Sequence, residues 1–160
     1  MSKSLKRVRT ALEAAGVTAE IRETPLARTA ADAAGAVGCG VDQIAKSIIF
    51  RGAQSGAAIL FLTAGGNRVD PARAEAAAGE ALARADADLV RAQTGFAIGG
   101  VAPVGHLNPI RAFLDPRLLD FDLVWAAAGT PHHVFGIEPQ RLVAICDAQV
   151  VDFTTPSEKM

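Results

Sequence analysis

The sequence predicts one domain of the α/β class (mixed α+β), built around a mixed β-sheet. Three observations lead there. Stretches with helical spacing and stretches with strand character are interspersed along all 160 residues. No linker, repeat or low-complexity tail divides the chain, so the domain is drawn as residues 1–160. Half of the residues are hydrophobic and 21% are charged, a balance that suits a packed core rather than disorder.

The elements follow in order. Residues 2–15 read as a helix, because Leu5, Val8, Leu12 and Ala15 recur at spacings of three and four and Gly16 suits the position just past the end. Its other side carries Lys3, Lys6, Arg7 and Arg9, read as a solvated face. Residues 17–23 alternate and read as a short strand. Thr29 and Asp32 resemble a capping box that opens an alanine-rich helix ending near Gly38. Residues 44–50 and 57–63 are strand-like and form a hairpin across residues 52–56. Residues 67–70 lead into a helix with Pro71 at its start, and Asp86 caps another that runs to about Gln93, with Gly95 beyond it. Residues 95–109 form an uncharged Gly/Pro loop, more often functional than a linker. A strand at 111–114, a helical turn at Asp115-Pro116, strands at 123–128 and 133–137, a helix at 139–145 and a strand at 150–153 complete the chain.

Composition excludes several classes. A formal net charge of −1 lacks the basic excess of a general nucleic-acid binder, so any RNA contact is expected to be local, at one end. Cys39 and Cys146 form no C-x-x-C pair, and free thiols in a reducing compartment are expected. Residues 1–16 are amphipathic rather than a signal sequence, and no apolar run approaches the ~20 residues of a membrane span. A cytoplasmic location, with no membrane partner, is the expectation. The three histidines, His106, His132 and His133, show no zinc-ligand spacing, and no metal or cofactor is expected. Phosphate-loop, dinucleotide and nucleophile-elbow motifs are absent.

Three features carry chemistry. Lys46 shares a strand face with Ile44, Ile48 and Phe50, an unusual setting because burying an ammonium is costly. It reads either as a snorkelling edge charge or as a cation at a pocket rim, aimed at a phosphate or a carbonyl oxygen. Gly99, Gly100, Val101, Ala102 and Pro103 form a loop whose glycines admit close ligand approach and whose backbone N–H groups suit an oxyanion. An ordinary turn is the alternative. In the segment Gly129-Thr130-Pro131-His132-His133, Thr130 or a histidine can contact a substrate; adjacent histidines in an extended segment point to opposite faces.

Four stretches together resemble the YbaK and prolyl-tRNA synthetase editing-domain family of aminoacyl-tRNA deacylases. They are Ile44-Ala45-Lys46-Ser47-Ile48-Ile49-Phe50-Arg51, then Gly65-Gly66-Asn67-Arg68-Val69-Asp70, then Thr94-Gly95-Phe96-Ala97-Ile98-Gly99-Gly100-Val101-Ala102-Pro103, and Gly129-Thr130-Pro131-His132-His133-Val134-Phe135. The resemblance spans residues 44–148 and more loosely the N-terminal helices. It implies a single domain with a central mixed, curved sheet flanked by helices. It also implies hydrolysis of the ester between a small amino acid and the 3′-terminal adenosine of a mischarged tRNA, with proline tRNA a candidate carrier and a synthetase a candidate partner. Lys46 would match the family's functional lysine, and Gly99, Gly100 and Pro103 its Gly-x-x-x-Pro loop. Ser47, Val101, Ala102, His106, Thr130 and His132 are then candidate substrate contacts. Departures lie beside the amino-acid pocket: Ala102 stands where many relatives have serine, Val104 replaces a common phenylalanine, and Ser47 replaces the asparagine of alanine-specific relatives. A non-catalytic binding module and a small-molecule esterase are the alternatives.

Overall fold

A computed structural model describes residues 2–27 and 29–156. Residues 1, 28 and 157–160, part of the expected 1–160 domain, lie outside the described residues.

The chain opens with α1 (Lys3–Ala14), where the Ser2 hydroxyl accepts from the Leu5 N–H at 3.0 Å and Leu5, Val8 and Leu12 are buried. Strand β1 (Glu20–Glu23) follows, then α2 (Ala30–Val37), capped by Thr29 onto the Asp32 N–H. A 3-10 turn (Val41–Gln43) leads into β2 (Ile44–Gly52), and β3 (Ala58–Ala64) returns antiparallel to it. Next come β4 (Asn67–Val69), α3 (Pro71–Ala78), β5 (Leu82–Arg84) and α4 (Ala87–Thr94). After the Gly/Pro loop stand β6 (Arg111–Leu114), a second 3-10 turn (Pro116–Asp120), β7 (Val124–Ala127) and β8 (His133–Ile137). Helix α5 (Pro139–Cys146), β9 (Gln149–Val150) and β10 (Thr154–Pro156) close the chain.

The main sheet is mixed, as expected, in the order β1-β8-β7-β2-β3-β6-β9. Strand β3 is central and buried at every position, which explains its unbroken apolar run. Helix α3 covers a cluster on which Phe61 stacks with Phe113 at 5.1 Å and meets Phe153 edge-on at 5.0 Å. The opposite cluster joins the buried residues of α1, α4 and α5 to Phe96, Val101 and Ala102 of the loop. A third, smaller cluster sets Ala33 and Ala34 of α2 against Ile44 and Trp125. No helix among the described residues is long and apolar enough to cross a membrane.

Three expectations need correction. Residues 67–69 do not merely lead into α3: they form β4 and pair with β10 in a separate two-stranded sheet. The last strand is not 150–153. Instead β9 pairs with β6 and β10 with β4, and the chain leaves the main sheet between them. Arg7 is not on a solvated face: its guanidinium lies 4.5 Å over the Phe96 ring, and Nε donates to the Gly105 carbonyl at 2.8 Å.

One feature of the sheet positions the site. On one edge of β2, Ile44 and Ala45 pair with β7, while Phe50 to Gly52 pair with β5. Between these pairings, residues 46–49 have no strand neighbour on that edge among the described residues. The sheet therefore splits beside Lys46 and Ser47.

Candidate active site

A cavity of about 280 Å³ lies at this split. Its floor is the start of β2, from Ile44 to Ser47. Ala30 and Ala33 of α2 form one wall, with Thr29 at the cap. Residues 125–127 of β7 and His133 and Val134 of β8 form another. Gly99 and Val101 of the loop face Thr130 and Pro131 of the β7–β8 turn across it. The lining is mainly apolar, with Lys46, Ser47, Thr29, Thr130 and His133 as polar side chains, the usual character of a small-molecule pocket.

The Lys46 ammonium donates to the Asn67 carbonyl at 2.7 Å. Burial pushes its pKa below the ordinary lysine value, while the charges of Asp115 and then Asp42 act in the opposite direction. Ser47 is its counterpart: the Oγ is closed off from solvent and meets no protein partner among the described residues. A buried hydroxyl without a partner costs about 1–3 kcal/mol, and this one sits where β2 borders the cavity.

The loop is tied down from behind. His106 Nε2 lies 2.7 Å from the Ala102 carbonyl, the Cys146 thiol donates to the Pro103 carbonyl at 3.3 Å, and Arg7 holds Gly105. Gly100 N–H donates to the Ala97 carbonyl at 3.1 Å, so that amide is already engaged. In front, Gly100 presses on the Thr130 backbone. Thr130 Oγ1 accepts from the His132 N–H at 3.1 Å and contacts His133 Nδ1 at 2.7 Å.

Of the residues expected to touch substrate, Lys46, Ser47, Gly99, Val101 and Thr130 gather around the one cavity. Gly100 shapes it through its contact with the Thr130 backbone. Ala102 is fully buried in the core, and Pro103 and His106 line a different cavity on the far side of the loop, next to Cys146. His132 is exposed, and it is His133 that lines the pocket. Sequence reasoning named both histidines of this segment and chose His132, and it did not single out Trp125 or the α2 wall. His132 lies in the turn before β8 and His133 opens the strand, and only the sheet order says that the strand's first residue meets the cavity.

The profile of the aminoacyl-tRNA editing domain matches residues 24–145, which include every lining residue just described. The chain belongs to this family. The uncharacterized protein YwhH of Bacillus subtilis (strain 168) is 32% identical over 114 residues, covering 71% of this chain and 72% of YwhH. The crystal structure of "a putative trans-editing enzyme for prolyl tRNA synthetase" is similar over 97% of this chain and 99% of its own, at 46% identity and a TM-score of 0.90. That of hypothetical protein APE2540 is similar over 93% of this chain and 99% of its own, at 27% identity and a TM-score of 0.85. The YbaK-like editing fold expected from sequence is thus the fold observed.

Proposed function

We propose that this chain is a trans-acting editing hydrolase that cleaves the ester of mischarged tRNA carrying a small amino acid. The observation that carries the reading is the convergence of Lys46, Ser47, Gly99, Val101 and Thr130 on one small cavity in a domain of the editing family. At about 280 Å³ the cavity falls just under the ~300–1,000 Å³ of drug-sized sites, which suits an aminoacyl group and part of a ribose.

The chemistry asks little of the protein. A water oxygen attacks the ester carbonyl carbon, and the carbonyl oxygen takes up negative charge. The bond to the ribose oxygen then breaks, that oxygen gains a proton, and the free amino acid leaves. Backbone N–H groups at Gly99 and Val101 are the candidate donors to the developing oxyanion. Lys46 anchors the terminal phosphate or ribose and so orients the ester. The ribose's own hydroxyl stands in for a protein base. Thr130 and the β2 backbone at Ser47 border the amino acid. Proline tRNA as carrier, a synthetase as partner and action in the cytoplasm belong to the same proposal.

Its test is release of amino acid from tRNA charged with alanine, serine, threonine or cysteine. Hydrolysis of one or more of these supports the proposal. Binding of charged tRNA ends without any release would make the chain a non-catalytic module instead.

A further inference from the structure

Behind Lys46 stands a buried carboxylate that the mechanism above does not use. Asp115 is 2% exposed and follows β6 directly. Sequence marks it only as the cap of a helical turn, and Oδ1 does accept from the Arg117 N–H at 2.9 Å. Its other oxygen does something else. Oδ2 accepts from the Ala64 N–H at 3.0 Å and from Asn67 Nδ2 at 2.9 Å. Asn67 is the residue whose carbonyl receives the Lys46 ammonium.

We propose that Asp115 and Asn67 are positioning residues for Lys46: the carboxylate fixes the turn between β3 and β4, and the carbonyl of that turn holds the ammonium beside the cavity. Register explains why these residues meet. Lys46 lies opposite Thr63 on β3, one residue before Ala64, while Leu114 of β6 lies beside Leu62 on the other edge. The end of β6 therefore reaches the end of β3 just as the chain turns back over the start of β2. The turn itself is pressed against residues 41–42. A Cβ at Gly65 would collide with the Val41 carbonyl, and one at Gly66 with the Asp42 carboxylate, which also accepts from the Gly66 N–H at 2.7 Å.

A lysine side chain is long and rich in rotamers, so it holds one place only when a fixed acceptor meets it. Burying a carboxylate is likewise unfavourable unless donors satisfy it, and Asp115 has three. The charged groups around Lys46 are Asp115 and Asp42, with Arg117 paired to Asp42 at 3.0 Å and to Asp120 at 2.8 Å. His133 lines the same cavity, and Arg68 of β4 is exposed.

The proposal rests on the editing reading only for its kinetic arm. The first arm is a carbon-detected NMR titration of the Lys46 ε-methylene in wild type, Asp115→Asn and Asn67→Ala. Asn67→Ala keeps the buried carboxylate and tests the relay even where Asp115→Asn does not fold. The expected result is a changed Lys46 shift and greater side-chain mobility in Asn67→Ala, with a lower Lys46 pKa as well in Asp115→Asn. Lys46 resonances and titration unchanged in the folded variants would overturn the proposal and leave Asp115 purely structural. In the second arm, each variant is expected to lose about tenfold or more in deacylation through kcat, with the double variant no worse than the poorer single. An inactive wild type would sink the editing reading while the NMR arm still decides the positioning role.

Discussion

Gly100 lies against the backbone of Thr130 so closely that a Cβ at Gly100 would stand 2.9 Å from the Thr130 Cα and carbonyl carbon. This contact joins the Gly/Pro loop to the β7–β8 turn and closes one side of the cavity. Backbone cannot yield as a flexible side chain does. Gly100→Ala is therefore expected to part the two segments, costing about 1–3 kcal/mol of stability and, with the misplaced loop, at least tenfold in deacylation. Thermal melting and kcat/KM check it, and a variant with wild-type activity would show that this contact does not shape the site.

His106 supplies a pH signature. Burial lowers its pKa from the ordinary 6.5, the Ala102 carbonyl works against that, and the Arg7 charge adds to the lowering. The folded chain thus binds this proton less readily than the unfolded chain. Its contribution is fully present above about pH 6.5 and is lost as pH falls through the folded value. His106→Gln keeps a donor for Ala102 and removes the titration. The melting temperature of wild type is expected to fall more steeply than that of the variant below pH 6.5. Parallel curves would mean that His106 titrates alike in both states.

The Cys146 thiol is pushed up to about 12 by burial, and its hydrogen donates to the Pro103 carbonyl. Reactivity belongs to the thiolate, so Cys146 is expected to resist alkylation at pH 8 in the folded protein and to react once the chain unfolds. Peptide mapping after iodoacetamide treatment reads this directly. Rapid folded-state labelling of Cys146 would contradict a thiol held protonated against the Pro103 carbonyl.

Much of this architecture is legible in the sequence where a local signal is strong. Thr29 and Asp86 cap the helices that follow, as read from the sequence, and Ser2 and Asp70 prove to be caps as well. The hairpin of β2 and β3 follows from two long β-rich runs. Strands β4, β5 and β10 are harder, because three residues show no usable period and their partners lie far along the chain. The site divides in the same way. Lys46 is visible because an ammonium breaks an apolar strand face. Asp115 and Asn67 are hidden, because a cap and a turn amide look ordinary until β3 and β6 bring them together. Arg7 reads as solvent-facing for a similar reason: nothing near it in sequence announces that Phe96 will lie beneath its guanidinium.

Lys46 stands half-buried at the split in the sheet. Lys46→Ala removes a cation whose burial is itself unfavourable, so the fold is expected to survive, with melting temperature close to wild type. Amino-acid release from mischarged tRNA by wild type and Lys46→Ala, measured side by side, is the most direct test. A folded Lys46→Ala that has lost turnover on a species the wild type hydrolyses is the predicted result. Equal rates in the two proteins would contradict the account and make Lys46 a structural residue.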